Sequence, residues 1–295
     1  MTIKYDLNNY ALEIDNLLND LINIPGTSEA KLYEAMLYSL IGGGKKLRAF
    51  IVRAVSEIFN VNKTYALRVG AAIEMVHTYS LIHDDLPCMD DDDLRRGKAS
   101  LHVMYDEATA ILAGDSLLTL AFGVLGHEET HFDPKVRIEL IKKLSFFSGP
   151  NGMCGGQIID ISSNQENYFF KDLERLQNLK TGSLFAFSCV AGGLLGNASY
   201  ESRLALENFG KKIGLAYQIG DDILDIEGKE SFLGKKVGKD SKAGKKNFVS
   251  LLGIEEAKDK AEKLVNFAIN DVKEKFGIKA NNLIEIASFI KDRNY

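Results

Sequence analysis

The sequence predicts an all-α protein, and three observations carry that expectation. Apolar residues recur at spacings of three and four along most of the 295-residue chain, as in helices with one buried face. No stretch sustains the period-two pattern of β-branched residues that a half-buried strand shows. The four prolines, Pro25, Pro87, Pro134 and Pro150, each fall where a helical pattern starts or stops. No long Gly/Ser/Pro linker and no fixed-period repeat divides the chain, so a single helical domain over 1–295 is expected.

Taken in order, residues 6–22 alternate acidic and apolar positions at helical spacing, and Pro25-Gly26 closes that helix. A second helix is expected from about Ser28 to Ile41. The run Gly42-Gly43-Gly44-Lys45-Lys46-Leu47-Arg48 follows. Its glycines allow a backbone to approach a ligand closely, and Lys45 and Arg48 share one face if a helix begins there. This is an anion site in outline, without Walker spacing. Val69 to Ile82 is apolar on nearly every side, with Glu74 its only carboxylate, which marks a buried helix. His77 lies two turns before Asp84 on the same helical face.

That buried helix runs into the stretch around which the chain is arranged, His83 to Gly97. Asp84, Asp85, Asp90, Asp91, Asp92 and Asp93 fall within ten residues, and Arg95 and Arg96 come soon after. Carboxylates at the end of a core element repel one another and lose hydration. The two arginines, a bound divalent cation, or both would compensate. Oxygen donors without His or Cys favour a hard cation such as Mg²⁺. Pro87 disfavours helix at Leu86, and a break there would let Asp90 return toward Asp84.

Beyond a helix expected over Glu107–Gly126, His127-Glu128-Glu129-Thr130-His131 matches the HExxH zinc-protease pattern. That chemistry needs both histidines on one continuing helix. Gly126 before the motif and Asp133-Pro134 after it mark a helix end and a loop instead. Gly149 to Gly152 is a turn, after which Gln157 and Asp160 share a helical face. Lys180-Thr181 opens the uncharged run Thr181–Tyr200, whose four glycines, three serines and one asparagine suit a tightly packed core helix rather than a membrane span. In Gln218 to Asp225, Asp221 and Asp225 are four apart and face one way, and no base at matching spacing neutralises them. Such a pair calls for a cation. Gly228 to Lys246 is rich in Gly and Lys, suited to closing over phosphate. Amphipathic helices over about 255–276 and 282–290 finish the chain.

The net charge of −5 argues against nucleic acid as a partner. Cys88, Cys154 and Cys189 lack CxxC spacing, which suggests a reducing, cytoplasmic location without structural zinc or disulfides. Asp6, Glu13, Asp15 and Asp20 make the N-terminus unlike a signal or transit peptide.

The motifs DDLPCMDDDDLRRG at 84–97 and DDILD at 221–225 resemble the two aspartate-rich motifs of the trans short-chain polyprenyl diphosphate synthases. The order GGGKKLR, HTYSLIHDD, GGQIID, KTGSLF, QIGDDILD is similar to that family from about residue 40 to 250. The resemblance implies a helical isoprenoid synthase bundle, usually a homodimer, that condenses isopentenyl diphosphate with an allylic diphosphate on Mg²⁺, with about three ions per site expected. It implies Mg²⁺ ligation by Asp84, Asp85, Asp90, Asp221 and Asp225, with Asp222 beside them. It places Arg95, Lys180, Lys235 and Lys245 on the allylic diphosphate, and Lys45, Arg48, His77 and Arg96 at the isopentenyl site. Thr181 and Gln218 would line the place where the allylic cation forms, supported by Gln157 and Asp160; Arg293 is a further candidate. Two departures stand out: Lys46 where the family usually has Arg, and Ala49 where it usually has Pro. Tyr79, five residues before Asp84 and beside Ser80, would floor the cavity and stop the product at farnesyl diphosphate; geranylgeranyl diphosphate is the alternative. A terpene cyclase should lack Lys45, Arg48 and Arg96, and a non-catalytic synthase subunit should have lost one aspartate motif.

Overall fold

Helices dominate the structure, a computed structural model that describes residues 3–162, 168–227 and 246–292. Its contacts divide the chain into two compact units, Met1–Arg53 with Val61–Ile141, and Ala54–Asn60 with Lys142–Tyr295.

The first unit is built on two nearly all-apolar helices. One is α4 (Lys63–Asp84), which follows α1 (Ile3–Leu21), α2 (Ala30–Leu40) and α3 (Leu47–Ile58). Asn62 caps it by accepting from Thr64 N at 2.9 Å. Val69, Ala72, Ile73, Met75 and Val76 are all but inaccessible, as an all-round apolar sequence requires. Its main neighbour is α6 (Glu107–Gly126), reached through a small hairpin, β1 (Leu94–Arg95) and β2 (Lys98–Ala99), and a single turn, α5 (Leu101–Met104). Asp106 caps α6, accepting from Thr109 N at 2.7 Å. Ala110, Ala113, Leu117 and Ala121 form its buried stripe, and small alanines let α4 approach closely. From α1, Leu7, Tyr10, Ile14 and Leu18 fill the same core at helical spacing.

The hairpin is absent from the sequence-based expectation, because strands of two residues carry no readable period. Arg96 and Gly97 form its turn with φ of 54° and 76°. Positive φ at both central positions is the type I′ geometry that matches strand twist. Leu94 pairs with Ala99 and Arg95 with Lys98.

Among the described residues one helix, α6, is long and apolar enough to cross a membrane. The uncharged run after Thr181 forms a shorter helix of 13 residues. The HExxH pattern breaks as expected: His127 caps the end of α6, Glu128–Thr130 is a single 3₁₀ turn, and His131 is buried between Tyr65 and Phe132.

The second unit packs α10 (Ser183–Leu195), every residue of it buried, against α11 (Tyr200–Glu227). Before them come α8 (Met153–Ser162) and α9 (Phe170–Gln177), and α7 (Pro134–Ser148) opens with Pro134. On the other side of α11 lies α13 (Ile254–Phe276), preceded by α12 (Phe248–Leu252) and followed by α14 (Asn281–Lys291). Ala257, Ala261, Val265, Ala268 and Val272 are the buried stripe of α13, spaced at three and four as an amphipathic helix demands.

Candidate active site

In the first unit the helix α4 ends where the acidic stretch begins. Asp85 closes it, and the chain folds back so that Asp90 N donates to Asp84 O at 2.8 Å. Met89 N and Asp91 N both donate to Leu86 O, and Asp92 N donates to Asp85 O. The break expected at Pro87 thus returns Asp90 to the level of Asp84.

The adjacent arginines serve different groups. Arg95, on β1, donates through Nε to both oxygens of Asp85 at 3.0 and 3.1 Å, and through Nη2 to the same carboxylate. Asp92 lies 3.6 Å from its Nη2. Burial opposes the charge on Arg95, but Asp85, Asp92 and Asp84 outweigh it and raise its pKa above the ordinary guanidinium value. Arg96, in the hairpin turn, lays its guanidinium on the backbone of Gly43 and Gly44. Asp85 is therefore a buried partner of Arg95, 2% exposed, whereas Asp84 and Asp90 are half-buried.

The glycine-lysine loop places two neighbouring lysines oppositely. Lys45 is exposed, and Lys46 turns inward to 3% exposure. His77, half-buried on α4, is held well below the ordinary histidine pKa, first by burial and then by Arg48, Arg96, Lys46 and Arg95. The cations that add to the effect of burial also make a positive field, which attracts an anion. A small cleft of about 60 Å³ opens beside these groups, where Leu81, Ile82 and Leu101 meet Arg95, Arg96 and Lys98. Tyr79, 7% exposed, lies edge-on to His83 with ring centroids 5.6 Å apart. The His83 ring rests on Gly114, where a Cβ would come within 2.3 Å of Nε2. Ser80 spends its hydroxyl on His77 O at 2.9 Å.

In the second unit Lys180 and Thr181 lie in one turn of π-helix, Asn178–Gly182, between α9 and α10. Such turns inside helices frequently mark functional positions. Gly156 on α8 abuts this turn so tightly that a Cβ would stand 2.2 Å from Lys180 N. Lys180 Nζ donates to Asp160 at 2.7 Å. Thr181 Oγ1 is 3.2 Å from Gln218 Oε1, Gln218 Nε2 donates to Asp222 at 3.0 Å, and the other oxygen of Asp222 accepts from Phe248 N at 2.8 Å. Asp222 is buried in that chain, while Asp221 and Asp225, one turn apart on α11, are half-buried. The amide nitrogen of Gln157 is buried with no hydrogen-bond partner among the described residues. Lys235, Lys245 and Arg293 lie outside the described residues.

The donors suit Mg²⁺: carboxylate oxygens throughout, with no preassembled group of three His, Cys, Asp or Glu among the described residues. Mg²⁺ is commonly held by one or two carboxylates plus substrate phosphates rather than by an all-protein cage.

Residues 29–285 match the sequence profile of the polyprenyl synthetase family. The chain belongs to that family. It is 45% identical over 232 residues to the farnesyl diphosphate synthase of Bacillus subtilis, covering 78% of each chain. Among solved structures, an FPP/GFPP synthase from Zymomonas mobilis is similar with a TM-score of 0.89 and 44% identity, over 98% of both chains. A geranyltransferase from Helicobacter pylori, complexed with magnesium and isoprenyl diphosphate, is similar with a TM-score of 0.86 and 32% identity over 99% of this chain and 98% of its own. As a polyprenyl synthetase, the chain is a prenyltransferase of isoprene biosynthesis with the all-helical isoprenoid synthase fold.

Sequence reasoning grouped the site residues but missed how the carboxylates divide. Asp85 and Asp222 turn into buried hydrogen-bonded positions, which no motif spacing reveals. It also missed Gly114, on which the His83 ring rests.

Proposed function

We propose that this enzyme condenses isopentenyl diphosphate with dimethylallyl or geranyl diphosphate to give farnesyl diphosphate, with Mg²⁺ as its cofactor. The observation that carries the reading is the split of Arg95 and Arg96 on one hairpin. One guanidinium faces the Asp84–Asp92 carboxylates and the other faces the Gly43–Gly44 loop beside Lys45 and Arg48. Two anion-binding groups therefore lie side by side, as a reaction between two diphosphates requires.

Asp84 and Asp90, with Asp221 and Asp225, would hold the metal, while Asp85 sets the position of Arg95 and Asp222 that of Gln218. Bound Mg²⁺ would neutralise the departing diphosphate and so lower the barrier to breaking its C–O bond. Arg95, Lys180 and, beyond the described residues, Lys235 and Lys245 add positive charge to that leaving group. Lys45, Arg48 and Arg96 bind the isopentenyl diphosphate, with neutral His77 donating one hydrogen bond to it. The hydroxyl of Thr181 and the carbonyl of Gln218 offer lone pairs to the allylic cation. That cation needs a dry site, which apolar helix faces would provide. The isopentenyl double bond attacks, and the departed diphosphate takes the proton that is lost.

The family match spans parts of both units, which supports one catalytic domain. Three free cysteines fit a reducing cytoplasm. A homodimer is supported by the apolar side chains that α5 and α6 leave exposed: Val103, Met104, Ile111 and Leu112, between 42% and 56% accessible.

The test is incubation of the purified chain with Mg²⁺, isopentenyl diphosphate and each allylic donor, followed by chromatography of the products. A fifteen-carbon product is expected, and a cyclised hydrocarbon or no condensation refutes the reading.

A further inference from the structure

The loop that carries Lys45 and presents its glycines to Arg96 is fastened by one carboxylate from a distant helix. Asp15 on α1 accepts from Gly42 N at 3.1 Å through Oδ2, and its Oδ1 lies 3.4 Å from Lys46 Nζ. Lys46 Nζ also donates to Leu40 O at 2.6 Å, at the last residue of α2. The lysine side chain is 2% exposed and that of Asp15 is 15% exposed. A buried ammonium is tolerated only with such partners. Lys46 has φ of 47°, the left-handed region that non-glycine residues adopt rarely. That backbone turn is what sends its side chain inward while Lys45 stays in solvent.

Gly42 and Lys46 bracket Gly43, Gly44 and Lys45. Tying both ends of this segment to Asp15 therefore fixes the surface on which the Arg96 guanidinium rests and the direction in which Lys45 leaves the loop. It also sets the start of α3, one residue before Arg48. We propose that Asp15, acting through Gly42 and Lys46, is the positioning residue of the isopentenyl diphosphate subsite, although neither it nor Lys46 touches the substrate. The inference rests on the reading of Lys45, Arg48 and Arg96 as that subsite. It also gives the departure at position 46 a role: the lysine acts inward, as a tether, and not toward phosphate.

The experiment compares Asp15→Ala, Asp15→Asn, Lys46→Met and Lys46→Arg with wild type, varying isopentenyl and geranyl diphosphate separately. Titration calorimetry with isopentenyl diphosphate alone accompanies the kinetics. Asp15→Ala and Lys46→Met are expected to raise the isopentenyl KM and Kd roughly tenfold, the scale of one lost charge-assisted hydrogen bond, with the geranyl KM within about twofold of wild type. The double variant is expected to be no worse than either single one, because both break the same tether. Lys46→Arg, which keeps the charge, is expected to recover most of what Lys46→Met loses. If Asp15→Ala fails to fold, the isosteric Asp15→Asn carries the comparison. Equal rises in both KM values with a lowered Tm, or an unchanged isopentenyl KM in the Asp15 variants, overturn the proposal while leaving the condensation reading intact. Wild-type protein that condenses nothing overturns the condensation reading instead.

Discussion

At the scale of single residues, the aspartates of one motif are not equivalent, and their variants should separate. Asp84 is half-buried, so Asp84→Ala should cost several orders of magnitude in turnover with Tm nearly unchanged. Asp85 is 3% exposed at its side chain and holds Arg95, itself 20% exposed. Asp85→Ala removes the main partner of that guanidinium, leaving Asp92 at 3.6 Å, and should cost about 2 kcal/mol of stability, discounted from the fully buried case for the exposure of Arg95. Urea unfolding of both variants checks this, and equal stability losses would contradict it. His77 supplies a pH test. Burial and the surrounding cations keep its folded pKa well below the unfolded value. The unfolded chain therefore takes up a proton below about pH 6.5 that the native state refuses. Native stability should fall as pH drops through that value, by up to about 1.4 kcal/mol at pH 5.5. His77→Gln should lose this part of the slope, which paired denaturation curves at pH 7.5 and 5.5 would show.

At the scale of elements, α4 is the part most legible in the sequence. Its all-round apolar run, the break at Pro87 and the return of Asp90 follow from side-chain chemistry that acts within one turn. Product length should be set on the same helix. Tyr79 lies five residues before Asp84, about 7.5 Å along the axis, and its ring is braced edge-on by His83. Tyr79→Ala should lengthen the product by at least one five-carbon unit with activity retained, as seen by chromatography of the dephosphorylated alcohols. The parts that were illegible are those decided by partners far away in sequence. The hairpin of β1 and β2 exists because Arg95 finds Asp85 and because Arg96-Gly97 tolerates two positive φ angles. The π-turn at Lys180 exists where Gly156 admits its backbone. Neither has a period to read, and each occupies the site itself.

At the scale of the molecule, the exposed apolar side chains of α5 and α6 should govern assembly. Leu112 is 56% exposed on α6, so Leu112→Asp puts a charge on that face without disturbing the buried stripe of Ala110, Ala113 and Leu117. Sedimentation velocity is expected to show a dimer for wild type and a monomer for the variant; a monomeric wild type would rule out this interface.

The three thiols make the chain its own reporter. Cys189 is fully buried on α10, and burial pushes its thiol toward the unreactive protonated form. Cys88 and Cys154 are exposed, and Cys88 sits inside the loop that joins Asp85 to Asp90. A native sample treated with iodoacetamide should thus consume two thiols quickly and yield the third only on unfolding. Mass spectrometry of the peptide containing Cys88 would then follow occupancy of the acidic loop without a label, as slower alkylation when Mg²⁺ and a diphosphate are added together.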